Sequence, residues 1–240
     1  MFLRTGIEDL NEFVLSVAIF LLAHVIPPSP IVRPKLIAVF GRRAYLIAYS
    51  LLSIGLLTWM IMAGQRAPYI GLWGAADWQW WATIIAMPFS IWLVLAGLFE
   101  PNPLSVSLRK KTLDTTPGLS AQVTRHPVLW GFGIWALVHL LPNGDVVSLT
   151  MFGGMVLLAI MGFVVVDRRT KRRLGPEQWQ TLADKTSLFP FVALLSGRVD
   201  LKIPASSLLW LVVSALTYLW ILFSAHAMFL NTDPLAGLGF

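Results

Sequence analysis

Cysteine is absent from all 240 residues. That excludes disulfides, thiolate-ligated metal, thiolate-ligated haem and covalent haem attachment through thioethers, although it says little about compartment. Charge is also scarce: charged residues make up 12% of the chain, and only twelve are acidic. No pair of buried carboxylates offers itself for acid–base work, no Ser-His-Asp set suggests itself, and nothing reads as a phosphate loop. Internal repeats and low-complexity linkers are missing too.

What is present is apolar. The chain is 57% hydrophobic with a positive mean hydropathy, well outside the balance of soluble domains. Six apolar stretches stand out, beginning "FVLSVAIFLLAHVI", "AYLIAYSLL", "WWATIIAMPF", "VLWGFGIWALVHLL", "VVSLTMFGG" and "SLLWLVVSAL". Four approach or exceed the roughly 20 residues needed to cross a hydrocarbon core. The first and fourth are short: either half-spans or spans completed by uncharged neighbours such as "PPSPIV". Pro27, Pro28 and Pro30 disfavour helix there, so that backbone should be covered by protein rather than lipid. The expectation is an all-α integral membrane protein of one domain over residues 1–240. It has about six transmembrane helices, near 10–32, 44–64, 80–99, 127–142, 146–166 and 207–230.

Sixteen of the eighteen lysines and arginines fall in the loops after the first, third and fifth stretches, Lys110 and Lys111 among them; Arg4 and Arg66 are the exceptions. By the positive-inside rule those loops face the cytoplasm and both termini lie outside it. The net charge of +6 then concerns orientation and anionic headgroups, with the lipid bilayer as partner and no nucleic acid. The N-terminus lacks a basic n-region followed by a small-residue cleavage site, so the first span should be retained. Residues 167–204 form the longest polar stretch. Within it "GPEQWQTLADKT" starts like a helix, with Pro176 and Glu177 in its first turn, and should lie along the cytoplasmic surface. Trp73, Trp78, Trp80 and Trp81 read as an interfacial aromatic belt.

Ionisable residues within the apolar stretches are almost confined to His24, His139 and His226, and intramembrane ionisable groups are expensive. Neutral imidazole suits iron, copper and zinc; without carboxylate or thiolate partners, buried histidines favour haem. The alternatives are hydrogen bonds: to a carbonyl near "PPSP" for His24, between helices for His139, and to interfacial water for His226. His126 precedes His139 by thirteen residues, a turn of roughly 220° and a climb of roughly 20 Å on a helix, so the two belong to different sites. His126, beside Arg125, suits a cap or a contact to a propionate or phosphate. Gly131, Trp135 and Ala136 lie on the His139 side, where small residues leave a recess for a macrocycle or serve helix packing.

"LLAHVIPPSP", "GLSAQVTRHPVLWGFGIWALVHLLPNGD" and "DRRTKRRLGPEQWQTLADKTSLFPF" resemble the bacterial NnrU family over most of the chain. That family is associated with nitrite and nitric oxide reductase expression in denitrifying bacteria, and is similar to plant zeta-carotene isomerase, a membrane protein that uses haem b. The resemblance implies a six-span fold in the bacterial inner membrane, haem b as cofactor, and nitrite or nitric oxide reductases or their maturation proteins as partners. Carried over, it makes His24 and His139 the iron ligands, with Arg125, His126, Gly131, Trp135 and Ala136 around the cofactor. The isomerase "CLAH" element matches "ALVH", which puts Ala136 where the cysteine stands, so exchange of thiolate for imidazole at iron is unavailable. Counting along the spans places His24 and His139 at different depths unless the haem tilts or the first span continues through "PPSPIV"; the geometric fallback is His139 with His226.

"RHPVLWG" also fits the RHPxxxG pattern of membrane methyltransferases that use S-adenosylmethionine. Where those enzymes carry a Glu-Glu pair this chain has Asp167-Arg168, which reverses the local charge. Three readings therefore stand: a haem-binding redox or accessory protein, a methyltransferase acting near Arg125, His126 and Asp167, and a non-catalytic membrane partner.

Overall fold

The computed structural model describes residues 2–109 and 117–238, so Lys110 and Lys111 lie outside the described residues. Ten α-helices form among the described residues, with an isolated β-bridge between Gly71 and Asp145. Four helical segments are long and apolar enough to cross a membrane: Val32–Arg66, Asp77–Phe99, Val146–Leu174 and Ala205–Leu230. Large apolar side chains such as Val39, Ile85, Leu216 and Phe223 stand exposed along them. A soluble monomer does not show apolar surface on that scale; this is a multi-pass helical membrane protein whose outer surface suits lipid.

The chain divides into two compact units. The first comprises residues 1–74 and 143–154. Helix α1 (Phe2–Val25) packs on α2 (Val32–Arg66), with Phe13, Val17 and Phe20 buried. α1 stops at Val25 and the chain turns through 26–31, where Tyr45 of α2 donates to the Pro27 carbonyl at 3.2 Å. That bond supplies protein cover for backbone that the prolines keep out of helix. α2 is interrupted at Gly41, whose φ of 77° and ψ of 159° suit glycine above other residues. At the other end, Trp59 and Arg66 both donate to Glu12, at 2.9 and 2.7 Å. The segment after α2 joins residues 143–146, since Leu72 and Trp73 donate to the Gly144 carbonyl and Val146 donates to that of Ile70. Trp73 lies so close to Gly144 that any side chain there would collide with it.

The second unit comprises residues 75–142 and 155–240. Its centre is α3 (Asp77–Phe99), which packs against α5 (Pro127–Leu140) and α9 (Ala205–Trp220). α3 and α5 touch closely because Gly97 meets Pro127 and Val128, and Gly131 meets the backbone of Ser90 and Val94; small residues permit such approach in membrane helices. Ser90 donates to the Gly131 carbonyl at 2.7 Å and Thr83 to that of Val138 at 2.7 Å. Pro88 sits inside α3 and has no N–H for the carbonyl of Ile84. The Tyr218 hydroxyl of α9 takes that carbonyl at 3.0 Å, so a neighbouring helix supplies the bond that proline removes.

α5 has only 14 residues, roughly 21 Å of helix at 1.5 Å per residue. The short buried α4 (Leu119–Val123) precedes it. Backbone groups in the break between them are met by protein: Arg125 N–H donates to Ser187 O, and Asn102 donates to Arg125 O at 3.0 Å. α6 runs as one helix from Val146 to Leu174. Gly175 follows at φ 83°, then α7 (Pro176–Ala183) with its proline in the first turn, the helix expected of "GPEQWQTLADKT". α8 (Val192–Leu195) is one turn. α9 passes through a π-helical turn, Ile221–Ala225, into α10 (His226–Leu230).

Candidate functional site

Two kinds of side-chain group carry chemistry. The first lies where α5 begins. Pro127 occupies the first turn of α5, where its missing N–H costs nothing, and places His126 at the helix cap. His126 is 0% exposed. Its Nδ1 pairs with Ser105 Oγ at 2.8 Å and its Nε2 with Asp167 Oδ1 at 3.0 Å. The other Asp167 oxygen accepts from Arg125 Nη1 at 2.6 Å.

Ser105 is positioned by Asn102, whose Oδ1 accepts the N–H groups of Leu104 and Ser105 at 3.0 and 3.1 Å. Asp167 is brought in by α6, whose next turn is tied to the same loop through Thr170 to Leu104 O and Arg173 to Pro103 O. Both ring nitrogens of His126 are thus engaged, and its role in this arrangement is to hold Asp167 and, through it, Arg125.

Arg125 also lies 5.0 Å from the centre of the Trp179 ring, with Lys171 at 5.3 Å from the same ring. Arg125 Nε and Trp179 Nε1 are buried donors without a hydrogen-bond acceptor. Buried donors are costly without an acceptor. Together with Lys171, the Arg125 and Trp179 donors form a place that suits an anionic oxygen ligand. The same charge balance disfavours a cationic sulfonium, because the Asp167 carboxylate is already compensated by Arg125.

Glu100, at the end of α3, is a buried carboxylate. Its Oε2 accepts Ser120 N–H and Oγ–H at 2.8 and 2.7 Å, while Oε1 has no partner. Ser105, Asn102 and Glu100 escaped the sequence reading. The polar run "FEPNPLS" directly after an apolar stretch was the available signal.

The second group is imidazole. In α5, His139 Nδ1 donates to Trp135 O at 2.8 Å, and the Trp135 and His139 rings are 5.3 Å apart. In α10, His226 Nδ1 donates to Thr232 O at 2.8 Å. The rings of His139 and His226 lie 6.5 Å apart with their planes at 22°. In the first unit, His24 Nδ1 donates to Phe20 O at 2.7 Å, and its ring packs on Phe20 at 4.2 Å. A carbonyl can only accept, so in all three the proton sits on Nδ1 and, in the neutral ring, Nε2 carries the lone pair. This is how metal-binding histidines are commonly oriented.

Of the small residues on the His139 side, Ala136 is fully buried. Gly131 is covered by α3, whose Ser90 carbonyl would stand 2.8 Å from an added Cβ; that space belongs to helix packing and leaves no recess for a macrocycle. Among the described residues no three His, Cys, Asp or Glu side chains come together as a metal site.

The NnrU protein family model matches residues 12–234. The 15-cis-zeta-carotene isomerase, chloroplastic, of Zea mays is 26% identical over 204 residues, 82% of this chain and 54% of that protein. Its counterpart from Arabidopsis thaliana is 34% identical over 77 residues, 32% of this chain and 21% of that protein. The chain thus spans about half the length or less of these curated relatives. No solved structure matches it. With a family match that runs from α1 to beyond α10 and contains all four histidines, the chain belongs to the NnrU family.

Proposed function

We propose that this protein binds haem b through histidine in the bacterial inner membrane and has a redox or accessory role that supports nitrite and nitric oxide reductases in denitrification. The observation that carries the reading is the shared presentation of the bilayer histidines, each with Nδ1–H held by a backbone carbonyl, the orientation common among metal-binding histidines. Haem fits this donor set better than a bare divalent ion. A structural zinc asks the protein for four ligands, whereas a porphyrin brings four nitrogens of its own and asks for one or two.

His139 is the ligand to which the reading is tied. The family resemblance also implies His24 as a ligand, and His226, whose ring lies 6.5 Å from that of His139, is the alternative. Arg125, held by Asp167 and His126 at the opposite end of α5 from His139, offers its unpartnered Nε to a separate anionic group such as a phosphate. When bound, haem would supply one-electron chemistry. The chain's own contribution would be orientation of the ligand nitrogens.

Haem content of the purified protein tests the binding claim, with about one haem per chain expected for wild type and a large loss for His139→Ala. Complementation of a deletion strain tests the role. His139→Ala that restores full reductase activity would leave the protein as a non-catalytic partner with structural histidines.

A further inference from the structure

We propose that Arg125, Trp179 and Lys171 bind the phosphodiester of an acidic phospholipid whose acyl chains lie along α6. This rests on the reading of Arg125 above as donor to a separate anion, and it is independent of haem.

Two donors at the start of α5 and in α7 have nothing to bond. Arg125 Nε and Trp179 Nε1 are buried and unpartnered, and the Arg125 guanidinium carbon lies 5.0 Å from the centre of the Trp179 ring. Arg125 Nη1 is taken by Asp167 at 2.6 Å, which anchors the guanidinium while Nε–H stays unbonded. A phosphodiester presents two unesterified oxygens that share one negative charge, so a single group can accept from both donors.

Charge favours a monoanion. Asp167 offsets Arg125, so Lys171, at 5.3 Å from the same ring, supplies the net positive charge of the group.

Depth points to a lipid. Residues 146–166 of α6 contain no charged side chain; that run is roughly 30 Å of helix at 1.5 Å per residue, the thickness of a hydrocarbon core. Asp167 is the first charge after it, so Asp167 and the Arg125 it holds stand at the level of the lipid phosphates. Lys171 follows Val164 by two turns, on the face where α6 exposes Leu157, Ile160, Met161 and Val164. Acyl chains lying on that stripe carry their headgroup up to Lys171. Lys171 is exposed and Trp179 half-buried, so the headgroup reaches the two donors past side chains at the surface.

The test uses the full-length protein, delipidated in an uncharged maltoside detergent, with calorimetric titration of short-chain phosphatidylglycerol, short-chain phosphatidylcholine or inorganic phosphate. Phosphatidylglycerol should show one saturable site. Phosphatidylcholine, whose headgroup carries its own cation, should bind more weakly, and inorganic phosphate, which lacks acyl chains, roughly tenfold or more weakly still. Trp179→Phe keeps the ring and deletes one donor, and should weaken phosphatidylglycerol about three- to tenfold. Lys171→Gln should weaken it about fivefold. Lys185→Gln, an equal loss of charge at an exposed lysine after α7, should leave it unchanged.

Equal losses in Lys171→Gln and Lys185→Gln, or no loss in Trp179→Phe, would overturn the site. Phosphatidylcholine or inorganic phosphate binding as tightly as phosphatidylglycerol would overturn the acidic-lipid assignment and leave Arg125 as donor to another anion. If none of the three binds, the anion reading of Arg125 falls as well.

Discussion

His126 behaves as a clamp with two jaws, Ser105 on one nitrogen and Asp167 on the other, inside protein that excludes water. Its removal takes one partner from the part-buried Asp167 carboxylate, which keeps Arg125, and one from the buried Ser105 hydroxyl, which together cost about 1–3 kcal/mol. His126→Ala should therefore lower the thermal unfolding temperature in detergent by several degrees, and an unchanged transition would contradict the clamp. Gly131 makes a sharper steric test. An alanine Cβ there would meet Val94 Cγ2 at 2.6 Å and the Ser90 carbonyl at 2.8 Å, so Gly131→Ala should destabilise by about 1–3 kcal/mol. Gly133 is the control on the same helix. Its added Cβ meets only that of Ala159, at 3.4 Å, and the helical preference for alanine, about 1 kcal/mol, should leave Gly133→Ala neutral or stabilised in the same melt.

Helix α3 shows how an element's defect is repaired by its neighbour. Pro88 strips the Ile84 carbonyl of its helical partner, and the Tyr218 hydroxyl replaces it. Tyr218→Phe should cost about 0.6–1.7 kcal/mol. In a Pro88→Ala background, where residue 88 can donate again, the same change should cost less. A double-mutant cycle reads this directly, and additivity would show that the two residues do not share the carbonyl.

Elements were legible in the sequence to different degrees, for physical reasons. α7 was announced locally by Gly175, Pro176 and Glu177, because start signals act over a few residues. The π turn before His226 has no such signature: "WILFSAH" reads as uninterrupted apolar helix, and the widened turn shows only in the backbone. Ser105, 21 residues from His126, was equally hidden, whereas Asp167, 41 residues away, was grouped with His126 only through the RHPxxxG resemblance. Hydropathy reports which segments leave water but not which side chains meet.

At the scale of the molecule, the wealth of exposed apolar side chains and four long apolar helical segments predict that the protein stays in the membrane fraction through alkaline carbonate washing; release into the supernatant would contradict integral insertion. The asymmetry of lysine and arginine makes a separate prediction. Reporter fusions at both termini should report the outside of the cytoplasmic membrane, and fusions in the 167–204 segment should report the cytoplasm. A division into two compact units could not be read from the composition, because similar apolar stretches recur across both units.

The central claim is haem ligation by histidines inside an almost uncharged bilayer protein, and the most direct measurement is an absorption spectrum. Detergent-purified protein, expressed with haem supplementation, would be recorded oxidised and dithionite-reduced. The account predicts a Soret band with sharp reduced α and β bands, at about one haem per chain, as expected of a low-spin histidine-ligated centre. A protein that is colourless as purified and remains so after titration with haem would contradict it.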